Sequence, residues 1–401
     1  MSAERRADLA FFTAIAFGLL FIVLGGPLGR RLEMVHFNDF SGFWSGPAAY
    51  LHGVSPWDPT RYSDVAVALG TKTPDALVYD YMPWTMFGLV PFALVPLEVA
   101  GWIWMVLSMA AATFALRGLL RAFVPGLVAP HAALGLALFV GQPGFHAVVL
   151  GQWSLVLMSG VAAIVLALRR GRPELAAFPS LLLLIKPQVF VFSALGLAFG
   201  ALRRPLFRRY VLVTAALALL VVLVTWLIVG DWLTPWLADI PGRRTERSAV
   251  LLSALSELIG PAGRVLAALL ILAGAFVATR FTPGSDASLA AWLSLSSAGA
   301  IYSWSYDQVL LFVPIVLAAG VLLPSSRVRA TRFLLAWAAV FIVVSPILYA
   351  IGVARHDETF SCIVPDAAFI SIVALLWRHR REPAAEGARR PIVPTEPAAA
   401  V

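Results

Sequence analysis

Long apolar runs constrain this chain more than any other feature of its sequence. Runs at 9–24, 211–229 and 333–351 come close to the roughly 20 residues that a helix needs to cross the hydrocarbon core of a bilayer. Charged residues make up only 13% of the 401 residues and hydrophobic residues 60%, whereas an average soluble domain is about 25% charged. The composition excludes a soluble globular fold and predicts an all-α polytopic membrane protein.

Arginines gather at the ends of the apolar runs, and this pattern gives the predicted spans a direction. Cytoplasmic loops carry an excess of Arg and Lys, so the clusters predict a multi-pass plasma-membrane protein with about twelve spans and both termini in the cytoplasm. The same clustering explains the net charge of +8 without a nucleic-acid partner. Arg5 and Arg6 precede the first run and no small-residue cleavage site follows it, which favours a retained signal anchor. The predicted spans are 9–25, 98–117, 126–141, 147–168, 174–186, 188–202, 210–229, 262–279, 287–302, 308–323, 333–351 and 365–377.

One long loop separates the first two predicted spans on the outer side. Residues 26–97 mix carboxylates with aromatic side chains, and structureless loops of that length are uncommon unless they are functional. Within it, the apolar stretch 82–96 contains three prolines that interrupt helical hydrogen bonding, which predicts interfacial or re-entrant helices. We therefore expect a single transmembrane domain over 1–381 and a disordered cytoplasmic tail over 382–401, which is rich in Pro, Ala and Arg.

Asp39 follows the first predicted span and stands among aromatic residues. Partial burial at the membrane surface would raise its pKa toward that of a useful general base. Asp is also a preferred helix cap, and Asp39 could begin an amphipathic helix that runs through Tyr50 and Leu51. The residues alone leave both interpretations open.

Lys186 lies in a run of leucines directly before Pro187. An ionisable side chain inside an apolar run is a functional candidate by default, and a helix that breaks at the proline would let the ammonium meet an anion. The alternative is that the long side chain extends to the headgroups at the outer surface.

Further polar residues fall on the same predicted side. Gln152 lies at the outer end of one span, and Tyr306 and Asp307 lie between two others. Arg243 and Arg244 belong to an outer loop that either binds lipid phosphate or is simply solvated. The sequence has no glycine-rich phosphate loop, and its six histidines are too scattered to predict zinc, so we expect no cofactor and leave a divalent metal open.

Six short motifs occur in a characteristic order along the chain: Asp39-Phe40, Pro56-Trp57-Asp58-Pro59, Tyr81-Met82-Pro83, Gly151-Gln152, Arg169-Arg170-Gly171-Arg172-Pro173 and Lys186-Pro187. In this order they resemble glycosyltransferase family 87, the DUF2029 group of the GT-C superfamily, which includes mannosyltransferases that extend phosphatidylinositol mannosides. Many members carry two histidines near the position where this chain has Tyr306 and Asp307.

The resemblance implies a GT-C-like bundle that moves a hexose, with mannose as one candidate, from a polyprenyl-phosphate donor to a lipid or glycan acceptor at the outer face. It implies Asp39 as the general base. A transporter or flippase of lipid-linked sugars and an O-antigen polymerase or ligase are the alternatives. The residues expected to bind donor phosphate or substrate are Lys186, Gln152, Tyr306, Asp307, Trp57, Asp58, Tyr81, Arg243 and Arg244.

Overall fold

The computed structural model describes residues 1–25, 39–71, 78–79, 81–239 and 248–381. Across these ranges the regular structure is helical and contains no strand, which confirms the all-α prediction. The α-helices are α1 Ala3–Gly25, α2 Asp39–Leu51, α3 Tyr62–Ala68, α4 Trp84–Ala93, α5 Leu97–Phe123, α6 Val128–Val140, α7 Gln142–Leu150, α8 Ser154–Arg169, α9 Pro173–Leu183, α10 Val191–Arg203, α11 Pro205–Val229, α12 Leu233–Asp239, α13 Leu251–Ile259, α14 Pro261–Ala278, α15 Asp286–Ala298, α16 Phe312–Leu322, α17 Arg327–Ala339, α18 Ser345–Arg355 and α19 Ile363–Arg381.

Seven helical segments among the described residues are long and apolar enough to cross a membrane, and α6 with α7, which meet at a 40° bend, form an eighth candidate. The other predicted spans coincide with helices of 11 to 16 residues, namely α8, α9, α10 and α15. The protein is therefore a multi-pass helical protein, while the expected count of about twelve spans stays a prediction. The seven segments are Ala3–Leu24, Leu97–Phe123, Pro205–Val229, Pro261–Ala278, Ser305–Leu322, Arg327–Arg355 and Thr359–Arg380.

The chain breaks between α9 and α10, and Lys186 lies in the break. Helix α9 ends at Leu183, and Pro187 opens a 3₁₀ turn that ends at Val189. A proline disfavours the helical conformation of the residue before it, and Lys186 has φ −129° and ψ 65°. The helical structure is thus interrupted around the Lys-Pro pair, although α9 ends three residues before Lys186 and α10 begins only at Val191.

The arginine clusters and the polar candidates occupy opposite ends of the same helices. Helix α8 begins two residues after Gln152 and ends at Arg169, whereas α9 begins directly after Arg172 and ends shortly before Lys186. Arg169 also pairs with Asp286 at the start of α15, with 3.7 Å between Nη1 and Oδ2. One end of this group of helices is therefore basic, and the other end carries the candidate site.

Helix α16 forms the centre of the bundle. In the segment Ser305–Leu322, which includes it, 89% of the span is buried. Helices α5, α15, α17 and α19 pack around it. Helix α11 is the opposite case, since only 6% of its span is buried and it contacts mainly α9 and α10.

The segment between the first two long spans contains α2, α3 and α4. Helix α2 packs on α4 and α3, and Gly46 of α2 lies against the ring of Tyr79. Helix α4 contains Pro91 and has only ten residues, so it is too short to cross a bilayer. An interfacial or re-entrant placement fits this length and stays a prediction, as do the domain boundaries. The predicted tail at 382–401 lies outside the described residues.

Candidate active site

Polar side chains from four distant parts of the sequence meet in one hydrogen-bonded chain. Asp39 is the first residue of α2, Gln152 lies in the corner between α7 and α8, Lys186 lies in the break between α9 and α10, and Asp307 belongs to the 3₁₀ helix Ser305–Leu311. The Gln152 Nε2 donates to Oδ2 of Asp39. The Lys186 ammonium donates to Gln152 Oε1 at 3.3 Å and to Asp307 Oδ1 at 2.9 Å.

The corner that carries Gln152 depends on a left-handed glycine. Gly151 ends α7 with φ +68°, a conformation that glycine adopts without steric cost. Its carbonyl accepts the indole N–H of Trp104 at 2.7 Å, and the N–H of Gln152 donates to the Ala147 carbonyl at 2.8 Å. The backbone thus points the buried Gln152 amide into the site before any substrate arrives.

Asp307 is held by several donors of the protein itself. Its Oδ1 accepts the Ser154 hydroxyl in addition to Lys186. Its Oδ2 accepts the Ser303 hydroxyl at 3.4 Å and the Trp304 N–H at 3.3 Å. These donors hold the Asp307 carboxylate in a fixed position in the site.

Lys186 is a buried cation, with only 6% of its surface exposed. A buried charge needs a partner, and here Asp307 supplies the opposite charge while the ring of Tyr306 lies 4.7 Å from the ammonium. The structure therefore brings together four of the predicted residues, Lys186, Gln152, Tyr306 and Asp307, with Asp39 at one end.

Asp39 lies at the start of α2, and its role as a general base stays a prediction. It begins α2, which ends at Leu51 as expected, and its carboxylate also accepts the hydrogen bond from Gln152. Asp39 is half-buried, whereas Asp307 is buried. Of the two carboxylates, Asp39 is the more exposed.

Of the other predicted residues, Tyr81 is close enough to Tyr306 to interact with it electrostatically. Tyr81 contacts the ring of Phe43, with the centroids 4.7 Å apart, and stands one layer from Trp57, because Tyr79 packs between them. Arg243 and Arg244 lie outside the described residues.

Asp58 has a local structural role. Its Oδ1 accepts the N–H of Thr60 at 2.9 Å and the hydroxyl of Thr60 at 2.6 Å, which is a turn motif typical of Asp. These bonds lower the pKa of the Asp58 carboxyl, the Thr60 hydroxyl most of all. None of the described hydrogen bonds joins the Asp58 side chain to Asp39, Gln152, Lys186 or Asp307.

Several site residues were missed by sequence reasoning. Ser154 follows the Gly-Gln pair closely enough to have been suspected. His146, Tyr349 and Glu358 come from α7, α18 and the turn after α18, and no motif marks them. Burial raises the pKa of the Glu358 carboxyl, whose Oε2 accepts the Ser305 N–H at 2.8 Å.

No group of three or more His, Cys, Asp or Glu side chains within the described ranges could hold a metal ion. The site instead offers a carboxylate, an amide, a buried ammonium and aromatic rings. These groups suit acid–base and anion-stabilising chemistry on a polar ligand.

The described residues thus form a multi-pass helical protein with a buried site of mixed charge. The sequence model of glycosyltransferase family 87 matches residues 79–304, more than half of the chain, and the chain belongs to this family. The GT-C superfamily is consistent with that membership. No curated protein and no solved structure matches the chain. The matched range contains Tyr81, Gln152 and Lys186, while Asp39 precedes it and Asp307 follows it.

Proposed function

We propose that this glycosyltransferase moves a hexose from a polyprenyl-phosphate donor to a lipid or glycan acceptor on the outer face of the plasma membrane, with both termini cytoplasmic. The observation that carries the proposal is the chain from Asp39 through Gln152 and Lys186 to Asp307. It lies at the ends of α8 and α9 that are opposite the arginines. In this proposal those helix ends face the outer surface of the membrane, where a lipid-linked phosphate presents its charged group.

Asp39 acts as the general base in this proposal. The acceptor hydroxyl gives its proton to the Asp39 carboxylate while its oxygen bonds to the anomeric carbon of the sugar. The bond between that carbon and the phosphate oxygen breaks, and the lipid phosphate leaves with the electron pair. Atoms and charge balance without a nucleotide or a redox cofactor.

Lys186 stabilises the phosphate as it leaves. A buried ammonium that is already oriented by Asp307 and Gln152 can interact with developing negative charge without a large reorganisation. Gln152 stands between the cation and the base. Its amide donates to Asp39 and accepts from Lys186, so the two charged groups do not neutralise each other directly.

Family membership favours a transferase over the transporter or flippase alternative. An enzyme of the O-antigen polymerase or ligase type handles similar lipid-linked substrates, and the size of the product would distinguish it. Mannose is the first hexose to test because the resembling enzymes include mannosyltransferases. Trp57, Asp58, Tyr81, Arg243 and Arg244 remain proposed contributors to substrate binding.

The test is incubation of the purified protein with labelled polyprenyl-phosphate hexoses and a membrane lipid extract, followed by chromatography of labelled products. We expect Asp39→Asn to fold and to bind donor, and to lose about 10²- to 10⁴-fold in transfer rate. Asp64→Asn, the same change on α3, is the matched control and should keep its activity. A fully active Asp39→Asn variant would contradict the base assignment.

Lys186→Gln tests the phosphate role separately. Loss of the ammonium should weaken donor affinity and reduce its salt dependence, because salt screens charge–charge attraction. Unchanged affinity with unchanged salt dependence would remove Lys186 from the phosphate site.

A further inference from the structure

A second polar cluster lies beside the candidate active site, and we define it as His146, Tyr349, Glu358 and Ser305. The Tyr349 hydroxyl and His146 Nε2 are 3.2 Å apart, and His146 Nδ1 is 3.4 Å from the Ser305 hydroxyl. Glu358 Oε2 accepts the N–H of Ser305 at 2.8 Å. Gln142 lies next to the cluster, since its Nε2 is 3.2 Å from His146 Nδ1. The proposed mechanism uses none of these side chains.

Tyr306 joins this second cluster to the phosphate end of the site. Its ring centroid is 4.7 Å from the Lys186 ammonium and 5.7 Å from the centroid of the His146 imidazole. His146 also contacts Tyr349, whose ring centroid is 4.6 Å from that of the imidazole. An aromatic ring thus separates the buried cation from a group of neutral and acidic hydrogen-bonding side chains.

The two sides of Tyr306 differ in exposure. Lys186 and Tyr306 are buried, whereas His146, Tyr349 and Glu358 are half-buried. Hydrogen-bonding groups that are partly open beside a buried cation can contact a ligand held by that cation. Burial also raises the pKa of Glu358, and a perturbed carboxyl next to a candidate site is typical of functional positions.

We propose that the second polar cluster binds the hydroxyl groups of the sugar that is transferred, and so selects the donor. This inference rests on the proposed function. A donor whose phosphate meets Lys186 carries its sugar ring directly beyond the phosphate, and the Tyr306 ring is the aromatic surface that adjoins the ammonium. Hydroxyls farther along the sugar then meet Tyr349, His146 and Glu358.

The chemistry of the cluster matches that of sugar hydroxyls. Each hydroxyl both donates and accepts a hydrogen bond, and the cluster offers a phenol, an imidazole and a carboxylate that can complement either role. A site built to bond a substrate hydroxyl rejects an analogue that places it elsewhere, because the buried polar group is left unpaired. The cluster therefore distinguishes epimers of one hexose.

The experiment measures binding, so it does not depend on turnover. Affinities of the purified protein are compared for polyprenyl-phosphate mannose, glucose and galactose, and for polyprenyl methyl phosphate, a phosphodiester of the same charge without the sugar. We expect the wild-type protein to bind one sugar donor more tightly than the methyl ester. Tyr349→Phe should reduce that advantage about 3- to 10-fold, the loss of one hydrogen bond, and leave affinity for the methyl ester unchanged.

Two further variants sharpen the result. Glu358→Gln should change the ranking of the three hexoses, because a carboxylate only accepts where an amide also donates. Tyr210→Phe is the matched control, since the Tyr210 hydroxyl is bonded to Ser180 at 2.6 Å in α9, away from the cluster. It should keep the wild-type ranking.

Two outcomes overturn the inference. One is a wild-type protein that binds the methyl ester as tightly as every sugar donor. The other is a Tyr349→Phe variant that weakens all four ligands by the same factor, which indicates a structural role. Sugar-dependent binding without transfer to any acceptor would instead contradict the proposed function and leave the sugar site standing.

Discussion

The buried pair of Lys186 and Asp307 predicts a strong energetic coupling between two residues that are 121 positions apart in the chain. The side chains are 8% and 3% exposed, and the ammonium and carboxylate are 2.9 Å apart. Removing one partner of a buried pair leaves an uncompensated charge, which typically costs about 3–5 kcal/mol. We expect Asp307→Asn to lower the free energy of unfolding by that amount.

Lys186→Met should cost less than Asp307→Asn. Asp307 keeps the donors from Ser154, Ser303 and Trp304 when the ammonium is removed, whereas Lys186 keeps only Gln152 as an acceptor among the hydrogen bonds described. The double variant removes both charges, so we expect it to be more stable than the sum of the single effects by about 1–3 kcal/mol.

The assay is SDS-induced unfolding in mixed micelles, followed by the fluorescence of the protein's tryptophans. Glu257→Gln is the control, since its partner Arg355 is at 2.7 Å but both side chains are nearly half exposed, and such pairs contribute about 0–1 kcal/mol. Strictly additive single effects, or an Asp307→Asn variant as stable as the control, would refute the reasoning.

Three further predictions follow from local geometry. A Cβ on Gly46 would lie 2.5 Å from the Tyr79 ring, so Gly46→Ala should destabilise the protein by about 1–3 kcal/mol. A Cβ on Gly42, one turn earlier, meets nothing within 4 Å, so Gly42→Ala should not destabilise it. The midpoint of SDS-induced unfolding measures both effects. Gly151→Ala is strained at φ +68°, and it should cost about 1 kcal/mol and lower transfer activity more than expression. Burial raises the pKa of Glu358, so the folded form holds the Glu358 proton more tightly than the unfolded form does. The free energy of unfolding should therefore fall as the pH rises from the ordinary pKa of Glu through the raised one. Glu358→Gln should flatten this part of the profile of melting temperature against pH.

Sequence reasoning predicted the fold class and much of the site for identifiable physical reasons. A bilayer requires apolar runs of a certain length and favours arginines at one surface, so the long helices could be predicted from the sequence. Lys186 stood out because a charge in an apolar run is costly, and Pro187 marked the break around it. The resemblance to glycosyltransferase family 87 is confirmed by the match to residues 79–304.

The rest depended on contacts that no local pattern encodes. His146 and Glu358 reach the site only because α7 and the turn before α19 pack against the 3₁₀ helix at Ser305. Asp58 was predicted from its motif, and the two bonds that its Oδ1 accepts from Thr60 form a local turn that the motif does not reveal. The span count was harder still, because α8, α9 and α10 are apolar yet short, and hydropathy does not report where a helix ends.

The shortness of those helices has a consequence for the membrane itself. At 1.5 Å per residue, helices of 11 to 16 residues extend about 17 to 24 Å, against about 30 Å for the hydrocarbon layer. In the proposed topology their arginine ends lie at one surface, which places Gln152 and Lys186 below the opposite headgroups. In that topology the lipid layer there would thin locally or give way to water. The depth of this indentation, and with it the access of a lipid-linked substrate, therefore depends on the acyl-chain length of the surrounding bilayer.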